Sequence, residues 1–237
     1  MLFCLQIEEK VLPTYVIRKD LKERVKEIES TQQRKVSAKE KYAIRDEIYS
    51  MLLPQAFSKI SKIYAYFDIK NKWLILNTTS PKKIEFFLAI FQKTLSDVTI
   101  TMPELKNLTT VMTNWLQREN APKVLTIENA CVLKDPTVTS KLIRCQEQDL
   151  FAKSVQLFLH DGYKVHQMLL TWQDRITFVL KEDFKLCTLK YREVVASTEN
   201  NSEETAEEEF ATNFLIMTEI LAQFLSDLLK IFEKKKG

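Results

Sequence analysis

The sequence predicts an α+β protein built from mixed or antiparallel sheets and long helices. Three observations carry that prediction. Short β-branched and aromatic runs such as Trp73–Leu76 and Arg175–Lys181 stand beside long stretches whose apolar residues recur every three or four positions. The two kinds of segment do not follow one another in regular βαβ alternation. Hydrophobic residues make up 45% and aromatics 10% of the 237 residues, ample for a packed core and too much for a disordered chain. That length lies between one large domain and two ordinary ones. The expected parts are 1–120, with charged helices, and 121–237, ending in a long amphipathic helix.

The elements follow in order. Met1–Ile7 reads as a strand already under way, without a polar lead-in or a cap. Arg18–Tyr49 is helical and highly charged, with Leu21, Val25 and Ile28, then Ile44 and Ile48, at helical spacing. Ser30–Ser37 breaks it, and Pro54 stops it. A hairpin pairs Ile63–Phe67 with Trp73–Leu76. Ser80 and Pro81, as N-cap and first helical residue, open a helix carrying Phe86, Phe87, Ile90, Phe91 and Leu95. Pro103 opens another, ending near Trp115. Strands at Val124–Leu133 and Val138–Cys145 are joined through Asp135-Pro136. A short helix from Asp149 to His160 stops at Gly162. Tyr163–Trp172 and Arg175–Lys181 form a hairpin with Gln173-Asp174 as its turn, and Leu186–Val194 supplies one more strand. The acidic linker Asn200–Glu209 leads into a helix with a continuous apolar stripe from Phe210 to Ile231. Its acids at the start and Lys234–Lys236 at the end complement the helix dipole. Packing of that stripe on the same chain is the expected reading, with a partner-helix role as the second.

Composition excludes several function classes. The only glycines are Gly162 and Gly237, so the phosphate-cradling loops of Walker or dinucleotide type, which need glycine, are absent. Cys4, Cys131, Cys145 and Cys187 are too widely spaced for a zinc or redox motif and read as structural thiols of a reducing compartment. No apolar run approaches the ~20 residues of a membrane span, which points to a cytoplasmic protein. His160 and His166 lack convergent ligands, and no carboxylate constellation resembles a divalent-metal nuclease core. The expectation is a protein without catalysis, metal or cofactor.

Charge distribution says more than the net value of +3. Arg18–Lys62 holds twelve Lys or Arg against seven Asp or Glu. Arg34, Lys35, Lys39 and Lys41 cluster at a helix start, with Arg45 one turn on. Lys82 and Lys83 sit in a first helical turn, where cations oppose the dipole and an external phosphate would compensate. A solvated charged face is the other reading of the same residues.

Several stretches together resemble the RdgC family: Ile7–Pro13, Leu52-Leu-Pro-Gln-Ala-Phe57, Ser80-Pro-Lys-Lys-Ile-Glu85, Leu142–Leu150, Leu170–Leu180 and Phe210–Thr218. Their order and spacing span nearly the whole chain. The resemblance implies a ring-forming homodimeric subunit with a basic central hole. Such a protein binds single- and double-stranded DNA without sequence preference, restrains RecA-promoted strand exchange, and associates with the nucleoid. It brings Lys82, Lys83 and Arg144 into matching motifs as DNA contacts, together with the basic segment Arg34–Arg45. Phe57 becomes a candidate subunit contact, packing within one subunit being the alternative. Gln55, Gln146 and Glu147 stand where the family usually has basic residues. The match begins at an internal strand of the family, so its preceding strands and helix are expected to be missing. A second function class also follows: a protein-interaction module that contacts RecA or itself without gripping DNA.

Overall fold

The computed structural model describes residues 1–95, 97–138, 140–192 and 205–234, which hold eight strands and six helices. They gather into two compact units, Met1–Thr78 and Thr79–Gly237.

The first unit contains β1 (Leu2–Val11), α1 (Thr14–Gln32), α2 (Ala38–Leu52), β2 (Phe57–Asp68) and β3 (Trp73–Leu76). The strands form an antiparallel sheet in the order β1-β2-β3. β1 and β2 pair over ten residues, from Leu2 opposite Tyr66 to Val11 opposite Phe57. The period-two pattern sends Phe3, Leu5 and Ile7 to the face that carries buried Ile63 and Ala65. Leu2, Cys4, Gln6, Glu8 and Lys10 are exposed on the opposite face. α1 ends at Gln33 in the left-handed region, φ 52°. α2 opens with a capping box, the Ser37 hydroxyl accepting from Glu40 N–H while the Glu40 carboxylate accepts from Ser37 N–H. Ile17, Val36 and Ile48 are buried here. A 3-10 turn at Leu53–Gln55 follows α2, where Pro54 removes the amide that would continue it.

The second unit contains α3 (Pro81–Thr94), α4 (Leu108–Arg118), β4 (Leu125–Lys134), β5 (Leu142–Cys145), α5 (Lys153–His160), β6 (Lys164–Trp172), β7 (Ile176–Lys181), β8 (Leu186–Tyr191) and α6 (Ala206–Phe232). Its five strands form an antiparallel sheet in the order β5-β4-β6-β7-β8. Leu125, Cys131 and Leu133 of β4, Met168, Leu170 and Trp172 of β6, and Ile176, Phe178 and Leu180 of β7 make one buried face. Phe224, Leu228 and Phe232 of α6 and Met112, Trp115 and Leu116 of α4 complete that core. The Phe224 ring meets Phe178 edge-on at 4.8 Å and Trp172 at 5.6 Å. Thr113, buried in α4, accepts the Val165 N–H of β6 at 3.0 Å and donates to the Thr109 carbonyl, so helix and sheet share one satisfied hydroxyl. The β6–β7 turn holds Gln173 and Asp174 at φ 45° and 53°, as a two-residue hairpin turn of this hand requires.

Some elements differ from the sequence expectation. α4 starts at Leu108, where the Asn107 side chain accepts from Thr110 N–H at 2.9 Å, and not at Pro103. The preceding segment is tied to the end of α6 instead, through Lys106 N–H to the Phe232 carbonyl at 2.7 Å. α5 starts at Lys153, because the Asp149 carboxylate is spent on a turn, accepting from Phe151 N–H. Ser80 makes no side-chain cap, although Pro81 does occupy the first helical position. Cys4 is exposed, whereas Cys131 and Cys145 are buried opposite one another on β4 and β5. Burial and the neighbouring Cys145 push the Cys131 thiol pKa up. The division at Thr78 lies ahead of the expected 120–121 boundary, since α4 contributes to the five-stranded core. Val194 and Asn200 to Glu204, assigned above to a strand end and a linker, lie outside the described residues, as do Lys235 and Lys236.

Candidate nucleic-acid interface

The basic surplus belongs to one unit. Met1–Thr78 carries 15 Lys and Arg against 10 Asp and Glu, whereas Thr79–Gly237 carries 20 against 22. Within the first unit the cations are arranged by helix geometry. On α1, Tyr15, Lys19, Lys22 and Lys26 step by four, three and four residues, and Arg18 lies beside them. All five are exposed, Tyr15 at 75%. The stripe runs about 16 Å along the axis at 1.5 Å per residue. None of its four cations has an ion-pair partner among the described residues, although Glu23 and Glu27 occupy a neighbouring flank. The apolar spacing of α1 predicts the helix; the basic period in the same segment is the signal that points to this stripe.

The residues expected from the sequence fall in three places. Lys35, Lys39, Lys41 and Arg45 are exposed at the α1–α2 corner and along α2, without ion-pair partners among the described residues. Lys41 and Arg45 share a flank one turn apart, with Tyr42 and Tyr49 exposed beside them. Arg34 is engaged differently. Its guanidinium meets both Glu40 oxygens, at 2.7 and 3.0 Å, and its Nε donates to the Gln32 side chain at 2.8 Å. Arg34, followed by the Ser37 backbone and hydroxyl, pulls the Glu40 carboxyl down from its ordinary 4.5 to about 2. Arg34 therefore braces the start of α2, and the open charge of the corner rests on its neighbours.

Lys82 and Lys83 are exposed in the first turn of α3, which contains no acid. Arg144 is exposed on β5, opposite Val132. These three lie in the second unit, on elements other than the α1 and α2 cations. Phe57 is 89% exposed at the start of β2, directly opposite the exposed Val11 of β1. It is not packed against the rest of the chain. Among the described residues no group of three or more His, Cys, Asp or Glu is placed to hold a metal ion. No helix there is long and apolar enough to cross a membrane.

Comparison with known proteins matches this architecture to one family. Residues 1–235 fit the family model described as "Putative exonuclease, RdgC". The chain is 31% identical over 239 residues to the recombination-associated protein RdgC of Halorhodospira halophila, covering 100% of this chain and 79% of that one. It is 33% identical over 237 residues to the protein of the same name from Psychromonas ingrahamii, covering 98% and 78%. The Pasteurella multocida protein is 31% identical over 236 residues, covering 97% and 76%. A family model spanning nearly the whole length and relatives above 30% identity agree with the motifs quoted from the sequence: the chain belongs to the RdgC family.

Proposed function

We propose that the chain binds single- and double-stranded DNA without sequence preference and restrains RecA-promoted recombination, acting as a homodimer that encircles or coats DNA. The observation that carries this reading is the α1 stripe of cations, without ion-pair partners among the described residues, in a unit with a surplus of basic residues. Exposed Lys and Arg at helical spacing meet a phosphate backbone through charge alone, which confers affinity without base readout. The name carried by the relatives, recombination-associated protein, supplies the setting, and the family resemblance supplies RecA and the nucleoid. Exposed Phe57 and Val11 supply the subunit contact. No step of this function is catalytic, and the exonuclease in the family description is tested in the same experiment by adding magnesium.

The test is duplex-DNA affinity at several salt concentrations, on two unrelated sequences, for the chain and for a Lys19→Glu, Lys22→Glu, Lys26→Glu variant. The chain should bind both duplexes, intact after incubation with magnesium. The variant should bind both more weakly, its log K against log salt slope reduced by about 0.9 for each phosphate it no longer neutralises. A well-folded chain that binds neither duplex would sink the reading. The exposed Phe57–Val11 pair would then favour the interaction module, tested by pull-down of RecA in the presence of nuclease.

A further inference from the structure

The five-stranded sheet has a second face, opposite its core. Strand alternation places Gln167, Leu169 and Thr171 of β6 and Thr177, Val179 and Lys181 of β7 there. The register then assembles two rows near one end. Arg144 of β5, Val132 of β4, Gln167 of β6 and Lys181 of β7 form one. Leu142, Lys134 and Lys164 form the next, with Lys134 and Lys164 directly opposed across β4 and β6. Like charges facing one another on adjacent strands oppose sheet pairing.

Three acids adjacent in sequence to these lysines, Asp135, Glu182 and Asp183, are committed elsewhere, while Glu147 and Asp161 near Arg144 and Lys164 are exposed. Asp135 accepts from Thr137 and Val138 N–H and pairs with Lys141 at 3.8 Å. Glu182 lies against His166 Nδ1, and Asp183 pairs with Lys185. Lys134, Lys164, Arg144 and Lys181 have no ion-pair partner among the described residues. Arg144 is exposed and the three lysines are half-buried, their stems against the sheet and their ammonium groups free to reach outward. Three inter-strand steps of about 4.8 Å separate Arg144 from Lys181 by about 14 Å. That span exceeds a single phosphate and suits a run of backbone.

We infer that these four cations form a phosphodiester-backbone site on the second unit. The inference rests on the DNA-binding reading above and extends it to a surface of its own, built by strands rather than by α1. The opposed lysines cost stability in the free protein, and a polyanion relieves that repulsion when it binds. Gln167, between the cations of the first row, offers its amide to the same backbone.

Two double variants test it in the full chain: Lys134→Gln with Lys164→Gln, and Arg144→Gln with Lys181→Gln. Each should lower affinity alike for two unrelated duplexes and flatten the salt slope by about 0.9 for each phosphate no longer neutralised. Lys134→Arg, which keeps the charge, should bind as the unaltered chain does. Without DNA at low salt, Lys164→Gln should raise the melting midpoint, and high salt should abolish that gain. If both double variants keep the original slope, this site is wrong while the broader reading stands. A loss confined to one duplex would also overturn a backbone site, and a folded, unaltered chain that binds neither duplex would overturn both proposals.

Discussion

Glu40 shows how one side chain can settle the role of another. Its carboxylate caps α2 and binds the Arg34 guanidinium, so a cation that resembles a DNA contact in sequence is held by its own chain. The folded pKa, about 2, lies below the ordinary 4.5, so this interaction contributes fully above about pH 4.5 and fades as pH falls toward 2. The Ser37 and Glu40 amide resonances should titrate together with a midpoint near 2. Arg34→Gln should move that midpoint upward, since the guanidinium is the largest cause of the shift. A midpoint unchanged by the substitution would mean that the cap alone holds the proton off. Thr113 is a quieter case. Its hydroxyl links α4 to β6, a role no local pattern announces, because its partner Val165 is 52 residues away.

At the scale of elements, α6 divides its labour along its length. Phe224, Leu228 and Phe232 are buried at 0% exposure, whereas Phe210 and Leu215 near the start are 59% and 64% exposed. The apolar stripe looks uniform in sequence, but its start at Phe210 is exposed and the helix packs on the core from Ile216 onward. Phe224→Ala should therefore destabilise the protein by about 3–5 kcal/mol, as loss of a fully packed aromatic does, whereas Leu215→Ser should leave the denaturation midpoint nearly unchanged. Equal effects in urea titrations would contradict this division. α1 and α2 divide differently, with Ile17 and Ile48 buried while Tyr15, Tyr42 and a set of lysines remain outward. Helix starts are less legible in the sequence than helix interiors. Pro103 is a favourable first residue by propensity, yet the Asn107 cap and the tie from Lys106 to Phe232 begin α4 five residues later.

At the scale of the molecule, a modest net charge conceals a partition: the first unit has five more cations than anions and the second has two fewer. Self-association should depend on apolar surface rather than on charge. Phe57→Ser should shift the chain toward monomer in sedimentation velocity while leaving the melting midpoint measured at monomeric dilution unchanged, since Phe57 is 89% exposed within the chain. A lowered midpoint without dissociation would return Phe57 to a role inside one chain.

The α+β class, most strands, the α1–α2 break at Ser30–Ser37 and the want of glycine-built phosphate loops were legible in sequence. Each depends on period, propensity or composition, which act over a few residues. The family was legible as well, through motifs spread along the chain. Partnership across distance was not. That Lys134 faces Lys164, that Arg144 shares a row with Lys181, and that the α6 stripe is exposed only at its start, at Phe210, follow from strand register and packing. Register turns on which strands pair and where a bulge falls, and a one-residue slip would send these cations to the other face. The linear chain therefore determined which residues could carry charge or fill a core, while tertiary structure decided which of them stand together.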